Sequence, residues 1–136
     1  MKFSVLKAIF DSMEQGVVFI EDQNRIAYTN PAAERIRNIR LDQVLGQSIL
    51  DCNPLKAHPK VLKIIGDLRS GKAKGHHLMN IQMVDGKFYD NTYSAVWGAG
   101  NKYLGVIVVS QEVTERKKAE DELKETLKKL QAANEE

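Results

Sequence analysis

The chain has 136 residues, 43% of them hydrophobic, enough for one domain with a buried core. Its 20 basic and 18 acidic residues leave a net charge of +2 without a clustered basic face, which argues against a nucleic-acid partner. A single cysteine, Cys52, excludes an intrachain disulfide and fits a reducing compartment, and no apolar run approaches the roughly 18 residues of a membrane span.

Met1-Lys2-Phe3-Ser4 leads into an amphipathic pattern and not a signal-peptide core, so the expected location is the cytoplasm, without direct membrane contact. Phe3, Leu6, Ile9, Phe10 and Met13 share one helical face, and Gly16 is placed to cap that helix. Val17 to Ile20 and Arg25 to Thr29 read as a hairpin around the turn Asp22-Gln23-Asn24. Asn30-Pro31 opens a short helix with Asn30 as cap and Ala32, Ala33 and Ile36 inside. Short helical turns are expected at Leu41 to Val44 and Ser48 to Cys52, before the break at Asn53-Pro54.

His58-Pro59 starts a longer helix whose buried face is Val61, Leu62, Ile64, Ile65 and Leu68. Three strands follow: His76 to Val84, Lys87 to Trp97 and Tyr103 to Val113. Asp85-Gly86 is expected to make a two-residue hairpin turn between the first two. The run Val106-Ile107-Val108-Val109 suits a strand buried on both faces or nearly so. It passes without a linker into a charged helix, where Thr114 is expected to cap the free N–H groups and Glu115 suits the dipole. The fold class is therefore α+β, a five-stranded antiparallel sheet with helices on one face and flanking helices at each end. The expected division is a helix over 1–15, a core over 16–113 and a C-terminal helix over 114–136.

Gly16 to Ile36, with its acidic turn and Asn30-Pro31-Ala32-Ala33-Glu34, resembles the opening hairpin of a PAS domain. Gly46 stands where that family often has a glycine. Glu112-Val113-Thr114-Glu115-Arg116-Lys117 is similar to its closing D-I-T-E-R-K motif, with Glu112 and Val113 in place of Asp and Ile. The resemblance covers nearly the whole chain. It implies a sensory and dimerisation module, joined to a histidine kinase or a similar output domain. It leaves open haem, a flavin, another small molecule or no ligand, because fold does not give function.

On this reading Phe19, Leu62, Ile65, Asn91, Tyr93 and Trp97 are candidates for a ligand pocket between the central helices and the sheet. Asn91 comes from the parity set Tyr89, Asn91, Tyr93, Ala95 and Trp97, the more apolar of the two, and would need a buried partner there. Glu112, Val113 and Thr114 are the candidates for signal transmission. Leu123, Leu127 and Leu130, with Asn134, follow the steps of a short parallel coiled coil, which points to a homodimer; packing on the chain's own sheet is the alternative. The N-terminal helix has the same two options, the outer sheet face or the dimer interface.

His58 is the candidate haem ligand, because haem-binding members of the family take their iron ligand from this helix, although its place before Pro59 suits an exposed helix start. His76 and His77 are neighbours on a strand, so only one can face the cavity. Cys52 stands in a segment similar to the C-H-P-P-K-S of some PAS proteins, with Asn53 in place of the His, and does not match the flavin-linked N-C-R-F-L-Q stretch. A small buried thiol or a redox site are its two readings. No paired carboxylates or activated nucleophile can be placed together, so an enzyme is not expected.

Overall fold

The structure, a computed structural model, describes residues 3–135 apart from Pro54, with the side chains of Cys52 and Glu135 left out. Helix α1 (Phe3–Asp11) precedes the hairpin β1 (Gly16–Glu21) and β2 (Ile26–Thr29). Two short helices, α2 (Pro31–Arg37) and α3 (Leu41–Val44), lead through two 3₁₀ turns to α4 (His58–Arg69). Strands β3 (Gly75–Gln82), β4 (Phe88–Trp97) and β5 (Tyr103–Glu112) follow, and β5 runs into α5 (Thr114–Glu135). The five strands form one antiparallel sheet in the order β2-β1-β5-β4-β3.

The most β-branched strand, β5, holds the centre. Val106 and Val108 are 0% and 3% exposed on its inner face, and Ile107 and Val109 are half-buried on the other. Burial on both faces is therefore only partly realised, because α1 lies over β1 and β2 instead. The inner face packs Val18, Ile20, Val106, Val108 and Tyr93 against Ala33, Val44, Val61, Ile64, Ile65 and Leu68 from the helices. Leu62 does not join them. It is 44% exposed, because the 3, 1, 3 spacing of Val61, Ile64, Ile65 and Leu68 already fills the buried stripe of α4.

Asn30 knots the first third of the chain. Its Oδ1 accepts from the N–H groups of Ala33 at 2.9 Å and Val17 at 2.8 Å. Its Nδ2 donates to the carbonyls of Phe10 and Gln15. The expected cap of α2 thus also fixes the end of α1 and the entry of β1.

Two glycines carry close approaches. Gly16 does not cap α1, which ends at Asp11; it begins β1, where a Cβ would meet Ile36 Cδ1 at 3.0 Å and Ala33 Cα at 3.1 Å. Gly105 has φ +147° near the start of β5, and a Cβ there would lie 2.0 Å from the Ile20 carbonyl oxygen. The β3–β4 turn is one residue longer than its Asp85-Gly86 pair suggests. Gly86 N–H donates to the Met83 carbonyl and Met83 N–H to Lys87, which makes a three-residue loop with Gly86 at φ +81°.

Candidate functional site

A cavity of about 360 Å³ opens between α4, the β3–β4 hairpin and the end of α2. Its walls are largely aliphatic: Val61 and Ile64 from α4, Leu78, Ile81 and Val84 from the hairpin, with Tyr93 from β4. Arg37 and Asn91 also line it. Behind them lies Ser110, paired across the sheet with Asn91. The Ser110 hydroxyl donates to Asn91 Oδ1 at 2.6 Å and accepts from Arg37 Nη2 at 3.3 Å. Asn91 and Ser110 are 4% and 2% exposed, so this hydrogen bond answers the need for a buried partner.

The alternation of β4 places this site. Tyr89, Asn91 and Tyr93 are buried, whereas Asp90, Thr92 and Ser94 are only half-buried. Tyr89 is anchored through its hydroxyl to the Asp85 carboxylate; burial, and then that hydrogen bond, push the phenol well above its ordinary range.

Of the six pocket residues expected from sequence, Asn91 and Tyr93 line this cavity. Ile65 is sealed in the core at 2% exposure. Phe19 has the opposite parity to Val18 and Ile20, and it lines an apolar groove under α1 with Phe3, Leu6, Phe10 and Tyr28. Leu62 points away, as noted. Trp97 lies past the irregularity at Val96/Trp97, where its ring packs edge-on against Tyr103 at 5.4 Å and borders a separate hollow with Gly71, Ala73 and Lys74. Arg37 and Ser110 were not foreseen. Ser110 gave a signal, as the one hydroxyl closing a β-branched run; Arg37 gave none, since only the tertiary fold brings the end of α2 to the cavity.

The histidines have local partners. His58 Nε2 lies 3.1 Å from the Asn53 carbonyl and is not among the cavity-lining residues. His76 packs edge-on to Tyr93, and His77 on the other face contacts the Thr92 hydroxyl at 3.3 Å. No histidine lines the cavity, so the described residues there offer haem iron no imidazole and do not fit haem ligation through His58. The Cys52 side chain lies outside the described residues. No group of His, Cys, Asp and Glu able to hold a metal occurs among the described residues.

At the other end of β5 the strand-to-helix junction is tied to β4. Val113 N–H donates to the Phe88 carbonyl at 2.7 Å, and the Thr114 hydroxyl accepts from Phe88 N–H at 3.1 Å. Thr114 therefore does not cap its own helix. The ladder of β5 ends at Glu112, and its hydroxyl takes the next N–H of the neighbouring strand. The Glu112 carboxylate lies 3.8 Å from the Lys87 ammonium, an exposed ion pair.

One turn on, Arg116 Nη2 donates to both Asp90 carboxylate oxygens, at 2.9 and 3.1 Å, and to Asn80 Oδ1 at 3.2 Å. Asn80 sits at the irregularity of β3 with φ +57°, between Leu78 and Ile81 of the cavity wall, and its N–H donates to Asp90. Partial burial raises the Asp90 pKa; the Asn80 N–H and Arg116 outweigh it, leaving the carboxyl below its usual range.

Beyond this turn α5 leaves the sheet. Leu123, Leu127 and Leu130 are 59%, 54% and 57% exposed, so they do not pack on the chain's own sheet. Helix α1 packs Phe10 against Tyr28 on the outer face yet leaves Phe3, Val5, Leu6 and Ile9 exposed.

Comparison with known proteins agrees with this architecture. The family model described as PAS domain matches residues 6–114. The C-terminal domain of a Streptococcus mutans protein superposes with a TM-score of 0.72 at 21% identity, covering 88% of this chain and 90% of that one. The PAS domain of a Colwellia psychrerythraea protein gives 0.67 at 15% identity, covering 82% and 97%. The PAS domain of the histidine kinase ThkA gives 0.59 at 20% identity, covering 73% and 99%. No curated protein matches the chain. The chain belongs to the PAS domain family. No helix among the described residues is long and apolar enough to cross a membrane.

Proposed function

We propose that this PAS domain is a non-enzymatic sensory and dimerisation module that binds a small molecule between α4 and the β3–β4 hairpin. The observation that carries this reading is the position of Ser110. It bonds Arg37 and Asn91 behind the cavity, and four residues later the same chain has entered α5. A ligand that moves Asn91 or Arg37 acts on β5 directly. The Phe88–Thr114 and Asp90–Arg116 ties then pass a shift of β4 to the first turn of α5. Such a ligand transmits only through a difference in affinity for the two states. The cavity favours this reading over a ligand-free adaptor with a filled core.

Leu123, Leu127 and Leu130 form the seam of a parallel homodimeric coiled coil that carries the signal to an output domain, a histidine kinase or similar, in the cytoplasm. Their exposure supports this, and the kinase PAS domain among the structural relatives supports the class of output. Native mass spectrometry, with an absorbance scan of the same sample, tests the reading. The expected result is a dimer that releases a small mass on denaturation, and that becomes monomeric on Leu127→Asp. A bare monomer contradicts it, and a visible absorbance band would point to haem or flavin instead.

A further inference from the structure

The charge of the cavity narrows what it holds. Two cationic side chains, Arg37 and Lys60, line it, and no Asp or Glu does so among the described residues. Lys60 has no carboxylate within ion-pair distance among the described residues. Arg37 is directed by its hydrogen bond to Ser110 on the strand behind. Asn91 uses its Oδ1 for Ser110, and its Nδ2 makes no hydrogen bond among the described residues. A guanidinium and a primary amide thus stand at one cavity, joined through one hydroxyl, and both bring N–H donors. Arg37 adds a positive charge to these donors.

We infer that the ligand of this cavity is a small monocarboxylate with an apolar body, its carboxylate received by Arg37 and Asn91. This rests on the sensory reading above. Arg37 supplies a planar fork that matches two carboxylate oxygens, and the bonds are strengthened by charge. The hydrocarbon body lies against Val61, Ile64, Leu78 and Ile81. A cavity of about 150 Å³ accepts benzene; the ~360 Å³ here holds roughly twice that, the scale of a medium-chain or aryl carboxylic acid. A phosphate dianion suits it less, because it carries more charge and a third oxygen into mostly aliphatic walls.

Calorimetric titration of the whole purified chain with octanoate and with octanamide tests this, since the two differ in charge and share the body. The expected result is octanoate binding about tenfold or more tightly than octanamide, with the preference lost in Arg37→Gln. In Arg37→Lys, which keeps the charge and loses the fork, an intermediate preference is expected. Filling the wall by Leu78→Trp should abolish binding of both. Equal affinity for acid and amide in the unaltered chain overturns the carboxylate assignment while the ligand-binding reading stands. This arm needs no variant, so it holds even where Arg37→Gln fails to fold. Binding of neither compound overturns the assignment too, and takes with it an apolar-bodied ligand for this cavity. Binding that persists in Leu78→Trp places the ligand elsewhere and overturns both.

Discussion

The two halves of the sheet are built differently. The β1–β5 side is closed. Val18 faces Val108, Ile20 faces Val106, and Gly105 sits so near β1 that no side chain fits. The β3–β4 side carries the polar groups Asn91, Asp90 and Asn80, an irregular register between Leu78 and Ile81, and the cavity. Strand β5 belongs to both: Val106 and Val108 pair with β1 on one side and β4 on the other, and Ser110 lies between Gly16 of β1 and Asn91 of β4 but gives its hydroxyl to Asn91. The difference teaches which part is frame and which part can respond. Close-packed apolar pairs leave no second arrangement of similar energy, whereas a hydrogen-bonded polar cluster beside a cavity can exchange partners with a ligand.

Substitutions on the two sides should separate these roles. The largest effect is expected at Gly105→Ala, where the added Cβ meets backbone at 2.0 Å. A loss of roughly 4 kcal/mol in urea unfolding is expected, among the large single-residue effects. Asn30→Ala removes a helix cap and leaves buried groups of α1, β1 and α2 without partners, and should cost about 3 kcal/mol in the same measurement. On the responsive side Ser110→Ala strands Asn91 Oδ1 and should cost about 1–2 kcal/mol, while altering calorimetric ligand affinity as the frame variants do not.

The smallest effect is expected at Asp90→Asn. The Asp90–Arg116 pair is 24% and 43% exposed, so solvent screens it and about 0.5 kcal/mol is expected. Its sign with pH is fixed. Because the folded carboxyl titrates below its ordinary value, its contribution is complete above the unfolded pKa of about 4 and is lost as pH falls through the depressed folded value. Acid unfolding curves of Asp90→Asn and the unaltered chain should therefore converge at low pH.

Much of the frame was legible in the sequence because it rests on local signals. The Asn30-Pro31 cap, the inner face Ala32, Ala33 and Ile36, and the alternation Tyr89, Asn91, Tyr93 depend on residues near one another in the chain. The site was legible only in part. Asn91 and Tyr93 can be placed by parity, but parity does not say which face of β1 is inside, and Phe19 lies on the outer one, under α1. Trp97 followed its strand's parity until an irregularity at Val96/Trp97 moved it. Thr114 has the chemistry of a cap, and a cross-strand N–H, invisible locally, took its hydroxyl. Arg37 reaches the cavity through the tertiary fold alone.

The most direct test of transmission is native-state hydrogen exchange of backbone amides in Ser110→Ala against the unaltered chain. Coupling through the junction predicts faster exchange at the Phe88 and Val113 amides, which carry the bonds between β4 and the start of α5, and at the Lys117 amide, which closes the first turn of α5 on the Val113 carbonyl, with the Val17 and Asn30 amides unchanged. Unchanged protection at the junction, or equal acceleration at Val17 and Asn30, would contradict it.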